Sequence, residues 1–262
     1  MELTLYQIDA FTNQVFSGNP AAVCPLKVWL PDSILQAIAE ENNLSETAYY
    51  VPTGSGFHIR WFTPSSEVNL CGHATLAAAY VIFELAAHST STIIFTSRSG
   101  ELIVHRSHDL LVMDFPSQPP SPCKTPQALR DSLSQEPIEV LSAEDYMAVY
   151  AEQDDILTIK PDFEKLKSLD LRGVIITAKG KNVDFVSRFF APKFGIYEDP
   201  VTGSAHCELT PYWAKELGRS QLVAKQLSQR GGIIQCELKG DRVLLSGKAV
   251  KYMEGRIVLS HY

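Results

Sequence analysis

"RWFTP" at residues 60–64 returns as "RFFAP" at 188–192, 128 residues on in a chain of 262. Each copy runs through a short loop to a glycine that opens a helix-like segment, "CGHATLAAAYVIFELAAH" (71–88) and "TGSAHCELTPYWAKELG" (202–218). Each segment is followed by a Gly-led pair of strand patterns, "GELIVHRSHDLLVMDF" (100–115) and "GGIIQCELKGDRVLLSG" (231–247). In the second, Gly240-Asp241 between apolar runs is a hairpin signal. Chance supplies one five-residue match easily. A matched order of strand, glycine, helix and hairpin points instead to an internal duplication.

Between the copies, "PSQPPSPCKTPQALRDSLSQEP" (116–137) holds six of the fifteen prolines and reads as the linker. Proline lacks an amide donor and fixes φ, so no central strand or long helix starts there. Upstream, "LPDSILQAIAEENN" (30–43) predicts a short helix with Pro31 near its first turn, and "SETAYYVP" (45–52) a strand. Each half is therefore expected to be a mostly antiparallel sheet curled about one central helix. That is α+β rather than a Rossmann series, because helices do not alternate regularly with strands. Neither a G-x-G-x-x-G nor a Walker-type loop follows a strand, so no nucleotide is suggested.

Composition narrows the function classes. Hydrophobic residues make up 45% and charged residues 20%, enough apolar content for a sizeable core. The net charge of -7 argues against a nucleic-acid surface. No apolar run of spanning length occurs, and the first residues lack the basic and apolar pattern of an export signal. Cys24, Cys71, Cys123, Cys207 and Cys236 are odd in number, scattered and without a C-x-x-C. That fits reduced thiols in a cytoplasm and gives neither a disulfide framework nor a metal site.

Two related halves commonly leave a ligand cleft between them. Helices starting at Gly72 and Gly203 would bring free backbone amides and positive dipole ends, suited to a carboxylate or an enolate. The polar residues beside them have plain alternatives. His73 could be a histidine bonded to a carbonyl, and Ser204 an N-cap. Asp199 before Pro200 could be a turn residue, and Glu46 an exposed acid at a strand edge. On the repeat, however, His73 matches Ser204, which favours a functional reading. Cys71 and Cys207 raise a two-thiol racemase, yet Cys71 aligns with Thr202, and Cys207 falls about a turn inside its helix. Cys207 is better read as a buried, unreactive thiol.

"IDAFTNQVFSGNPAAVC" (8–24), "NNLSETAYYV" (42–51), "CGHATLAAAY" (71–80) and "EDPVTGSAH" (198–206) together resemble the phenazine-biosynthesis isomerase family, PhzF-like, over most of the chain. The resemblance implies the diaminopimelate-epimerase fold: two pseudo-symmetric halves, here 1–117 and 118–254, with the site between them. The last strand of that fold often returns to the first half, which here would be 255–262. It further implies a cofactor-free enzyme, commonly a homodimer, acting on a small carboxylate-bearing molecule. Glu46 corresponds to the carboxylate that moves a proton. His73, Asp199 and Ser204 correspond to the polar groups around the substrate, with Gly72 and Gly203 at the helix mouths. Related epimerases use thiols at both helix starts, and "DPVTGS" has none. The rival functions are an amino-acid racemase or epimerase using Cys71 with an acid partner, and a binder without turnover.

Overall fold

The computed structural model describes residues 1–86 and 89–260. Ala87 and His88, the end of the first helix-like segment, and His261 and Tyr262, the end of the returning one, lie outside the described residues. The fold is α+β, in two compact units: Met1–Asp114 with Ser246–Tyr262, and Phe115–Leu245. No helix among the described residues is long and apolar enough to cross a membrane.

In the first unit, strand Glu2–Ala10 lies between Ala249–Val258 and Asn19–Pro25, antiparallel to both. Asn19–Pro25 then runs parallel to Glu46–Pro52, which is antiparallel to Phe57–Phe62. Phe57–Phe62 is parallel to Thr92–Ser97, and that strand is antiparallel to Gly100–Ser107. The returning segment begins at Ser246, ahead of the 255 suggested by sequence. The physical reason is that Ala249–Val258 pairs from Ala10↔Ala249 to Glu2↔Val258, interrupted by one register shift between Gln7 and Ile8.

The central helix of this unit is Gly72–Tyr80, with every residue from His73 to Ala79 buried. A helix apolar on all sides must be surrounded, and strands Glu2–Ala10, Asn19–Pro25, Glu46–Pro52 and Ala249–Val258 enclose it. Ala74, Ala77, Ala78 and Ala79 keep it thin enough to fit. After Tyr80 the expected single helix changes pitch, and Val81–Leu85 is π-helical. Outside the sheet, helix Asp32–Asn42 buries Ile34, Leu35, Ile38 and Ala39, the spacing of one helical face. That face packs on Cys24, Tyr49 and Phe62, and the Tyr49 hydroxyl donates to Leu35 O at 2.7 Å.

The second unit repeats the order of pairings. Glu139–Ser142 and Tyr146–Val149 are antiparallel, and the latter is parallel to Val174–Lys179. Val174–Lys179 is antiparallel to Phe185–Phe190, which is parallel to Gln221–Gln226. Gln221–Gln226 is antiparallel to Gly232–Lys239. Phe185–Phe190 is the strand of the "RFFAP" copy, at the same offset from Phe57–Phe62 that relates the two motifs. The central helix, Gly203–Leu217, stops at Gly218 in the left-handed conformation. Pro211 within it removes the amide that would reach Cys207 O. Gln118 N supplies that bond instead, at 3.0 Å. Within the Pro-rich stretch, after Pro116 ends strand Leu110–Pro116, only Ser121–Pro122 and the short helix Gln127–Ser132 are regular.

The duplication extends to side chains. Arg60 forks onto Glu67, Nε to Oε1 at 2.7 Å and Nη2 to Oε2 at 2.8 Å, with its guanidinium 5.1 Å from the Phe62 ring centre. Arg188 forks onto Glu198 at 2.7 and 3.0 Å, 4.9 Å from the Phe190 ring centre. Glu67 and Glu198 each stand four residues before the cap position of a central helix, Cys71 and Thr202. Each fork therefore anchors the loop that enters its helix. Arg60→Ala and Arg188→Ala are each expected to cost about 2 kcal/mol in urea unfolding, and Lys is expected not to restore it, because the bidentate geometry needs a guanidinium.

Candidate active site

In the first unit, three segments converge. Helix Asp32–Asn42 ends with Asn43 in the left-handed region, φ 48, turning the chain into strand Glu46–Pro52 with Glu46 as its first residue. Ala21 is its partner across the parallel pairing. Cys71 holds extended backbone at the cap of the central helix, φ -146 and ψ 109, so His73 falls in the first turn. Thr75 ties that turn down, its hydroxyl donating to Cys71 O at 2.6 Å.

This brings Glu46 and His73 together. Glu46 Oε2 lies 3.1 Å from His73 Nε2, both side chains buried. The two atoms face each other without the alignment of a hydrogen bond, and neither has another partner. In a buried place an unmatched charge carries a desolvation cost, so each of these groups is the other's electrostatic partner, with hydrogen-bonding capacity left unused on both. Glu46 is thus not an exposed edge acid, and His73 is not bonded to a carbonyl. On the other ring edge, His73 Nδ1 lies 3.5 Å from Cys71 Sγ.

Burial disfavours charge on His73, but the Cys71 and Glu46 groups more than offset it, and its pKa stands well above the ordinary imidazole value. Burial likewise pushes the Cys71 thiol up to about 11. Near neutral pH the thiol is therefore uncharged, and the acidic group that His73 Nε2 faces is Glu46. The donor atoms of Glu46, Cys71 and His73 lie within 4.8 Å of one another. Cys71 Sγ stands against Nδ1 and Glu46 Oε2 against Nε2, and one donor atom from each of the three residues is close enough to the others to share a single ion.

In the second unit, Asp199, Gly203 and Ser204 stand at the entrance to the other central helix. Asp199 N donates to Phe189 O at 3.1 Å, and Thr202 Oγ1 donates to Asp199 Oδ2 at 2.6 Å. Thr202 is the cap residue, and its side chain does not cap. Ser204, read above as a candidate cap, lies one residue inside the helix and is half-buried. The first-turn amides of both central helices are thus free of side-chain caps, as an anion site requires. Cys207 is buried with its thiol pushed up to about 12 by burial, an inert thiol.

Two groups in this unit escaped the sequence. Gln226 is fully buried and bonded to Asp199 and Thr202. Glu208 is also fully buried, with Oε1 accepting from Asp145 N at 3.1 Å and Oε2 unpartnered. Asp145 in turn takes both arms of Arg172, with Nε donating to Oδ1 at 3.0 Å and Nη2 to Oδ2. Burial first, then the charge of Asp145, pushes Glu208 up to about 9. The only signal in the sequence is an acid in the apolar stretch "AHCEL", and helix periodicity does not mark it as buried.

The fold class is that of epimerases and racemases: a hydroxyproline epimerase of Agrobacterium vitis superposes with a TM-score of 0.64 over 98% of this chain and 92% of its own, at 10% identity, which shows shared fold alone. The family pattern described as "Phenazine biosynthesis-like protein" matches residues 8–255, and the chain belongs to that family, an isomerase family. An "uncharacterized isomerase" of Pseudomonas aeruginosa is 51% identical, covering 99% of this chain and all of its own length. A PhzF-family crystal structure from Enterococcus faecalis, 45% identical, superposes with a TM-score of 0.97 over 99% of this chain and all of that one.

Proposed function

We propose that this protein is a cofactor-independent isomerase that moves a proton on a small carboxylate-bearing substrate, with Glu46 as acid and base. The observation that carries the reading is the buried Glu46–His73 pair, 3.1 Å apart and with no hydrogen bond made by either facing atom. A carbon acid next to a carboxylate, enamine or diene gives its proton to Glu46 Oε2, and the C–H electron pair becomes the enolate or dienolate. Glu46 is then neutral, and an imidazolium at His73 stands beside the new negative charge, where a fixed cation stabilises most. Return of the same proton to a second carbon completes an isomerisation with no redox change. The helix starts at Gly72 in the first unit and at Gly203 with Ser204 in the second are each suited to a substrate carboxylate, having no side-chain cap, and Asp199 would serve as a second catalytic polar group. A homodimer in the cytoplasm is part of the same expectation.

The test is incorporation of deuterium into pooled carboxylate metabolites incubated with the parent protein in D₂O. Exchange into a discrete compound is expected, and its absence across metabolite pools contradicts the proposal. Asp199→Asn is expected to slow that exchange by about 10²-fold or more. Cys71→Ser separates carboxylate from thiol chemistry. It is expected to keep exchange within about tenfold of the parent, because a thiol held neutral is a poor base. A loss comparable to that of a missing base would favour a Cys71 racemase.

A further inference from the structure

Gln226 closes strand Gln221–Gln226, opposite Ser187 on one side and Gly232 on the other. Its side-chain amide is used at both ends. Oε1 accepts from Thr202 N at 2.9 Å, while Nε2 donates to Asp199 O at 2.8 Å and to Thr202 Oγ1 at 3.1 Å. The orientation of the amide follows from these partners: an N–H must face Oε1, and a carbonyl must face Nε2. The consequence falls on Thr202. Its hydroxyl has one proton, and Nε2 of Gln226 can only donate, so the hydroxyl accepts there. Its proton is left for Asp199 Oδ2, 2.6 Å away. This also explains why a threonine at a helix cap does not cap, although that is its usual use.

We propose that Gln226 is a positioning residue for Asp199: it fixes the direction of the Thr202 hydroxyl, which donates to the Asp199 carboxylate and aims it. The proposal rests on the reading of Asp199 as a functional carboxylate, and it adds a polarity that the cap sequence "DPVTGS" alone does not contain. A hydrogen bond of this kind favours the charged form of the acid. Gln226→Glu has nearly the same shape and reverses the polarity of one end. An ionised carboxylate accepts where Nε2 donated, so the Thr202 proton turns to it and leaves Asp199, and the added charge acts in the same direction; Thr202→Val removes the proton without adding a charge.

The experiment follows the Asp199 carboxyl by ¹³C NMR titration in protein labelled at aspartate, with Asp199→Asn to assign the signal. Gln226→Glu is expected to move the Asp199 midpoint up by about one pH unit, and Thr202→Val to move it the same way. Thr202→Ser, which keeps the hydroxyl, is expected to leave it within about 0.3 of the parent. A merely structural role would lower stability without shifting the midpoint in this pattern. The proposal is overturned if Asp199 titrates alike in the parent, Gln226→Glu and Thr202→Val. Should Gln226→Glu fail to fold, Thr202→Val and Thr202→Ser decide the point. Deuterium exchange by the same variants is read separately. An upward midpoint shift with unchanged exchange would keep the positioning and remove Asp199 from the chemistry.

Discussion

Glu46→Gln is expected to reduce proton exchange by about 10²–10⁴-fold while leaving the fold in place. The amide is the same size and sits at the start of a paired strand, so the backbone has no reason to move. It offers no basic oxygen to a carbon acid, and it removes the anion facing His73 Nε2. Since His73 is held above its ordinary pKa with help from Glu46, the same variant should lower the imidazole's titration, measurable by histidine NMR. Loss of exchange together with that drop identifies Glu46 as both the base and the electrostatic partner of His73. Unchanged exchange removes Glu46 from the base role.

Raising the pH is expected to weaken the protein, and Glu208→Gln to abolish most of that dependence. Burial and Asp145 raise Glu208 from an ordinary 4.5 to about 9. Between those values the folded protein keeps a proton that the unfolded chain has lost. Stability from this group is therefore whole below about pH 4.5 and falls as pH rises through the folded value, with a slope of up to about 1.4 kcal/mol per pH unit. The amide mimics the neutral acid at every pH. Urea unfolding at pH 5 and pH 9 checks the point: the parent should lose markedly more stability than Glu208→Gln. Equal losses would mean that Glu208 ionises in place, with Arg172 taking up its charge.

Much of this architecture was legible because duplication writes itself into sequence twice. The strands at Phe57–Phe62 and Phe185–Phe190 and the helix starts at Gly72 and Gly203 stand where the motifs placed them. The alternation of parallel and antiparallel pairings was not legible, since it is set by contacts between residues far apart in sequence. Nor was the pitch change at Val81, which no proline or glycine announces. The site divides in the same way. Glu46 and His73 lie in motifs that can be read, and their meeting at 3.1 Å requires the fold. Gln226 carries no local signal at all. Its role comes from hydrogen-bond direction, which only the folded neighbourhood of Thr202 and Asp199 defines.

The most direct measurement is deuterium uptake from D₂O into one identified carboxylate substrate, with the parent and Glu46→Gln run side by side. Proton transfer by Glu46 predicts one deuteron at the new carbon position with the parent and uptake reduced by about 10²-fold or more with the variant. Equal uptake by the two proteins, or conversion by the parent without any proton moving, would contradict it.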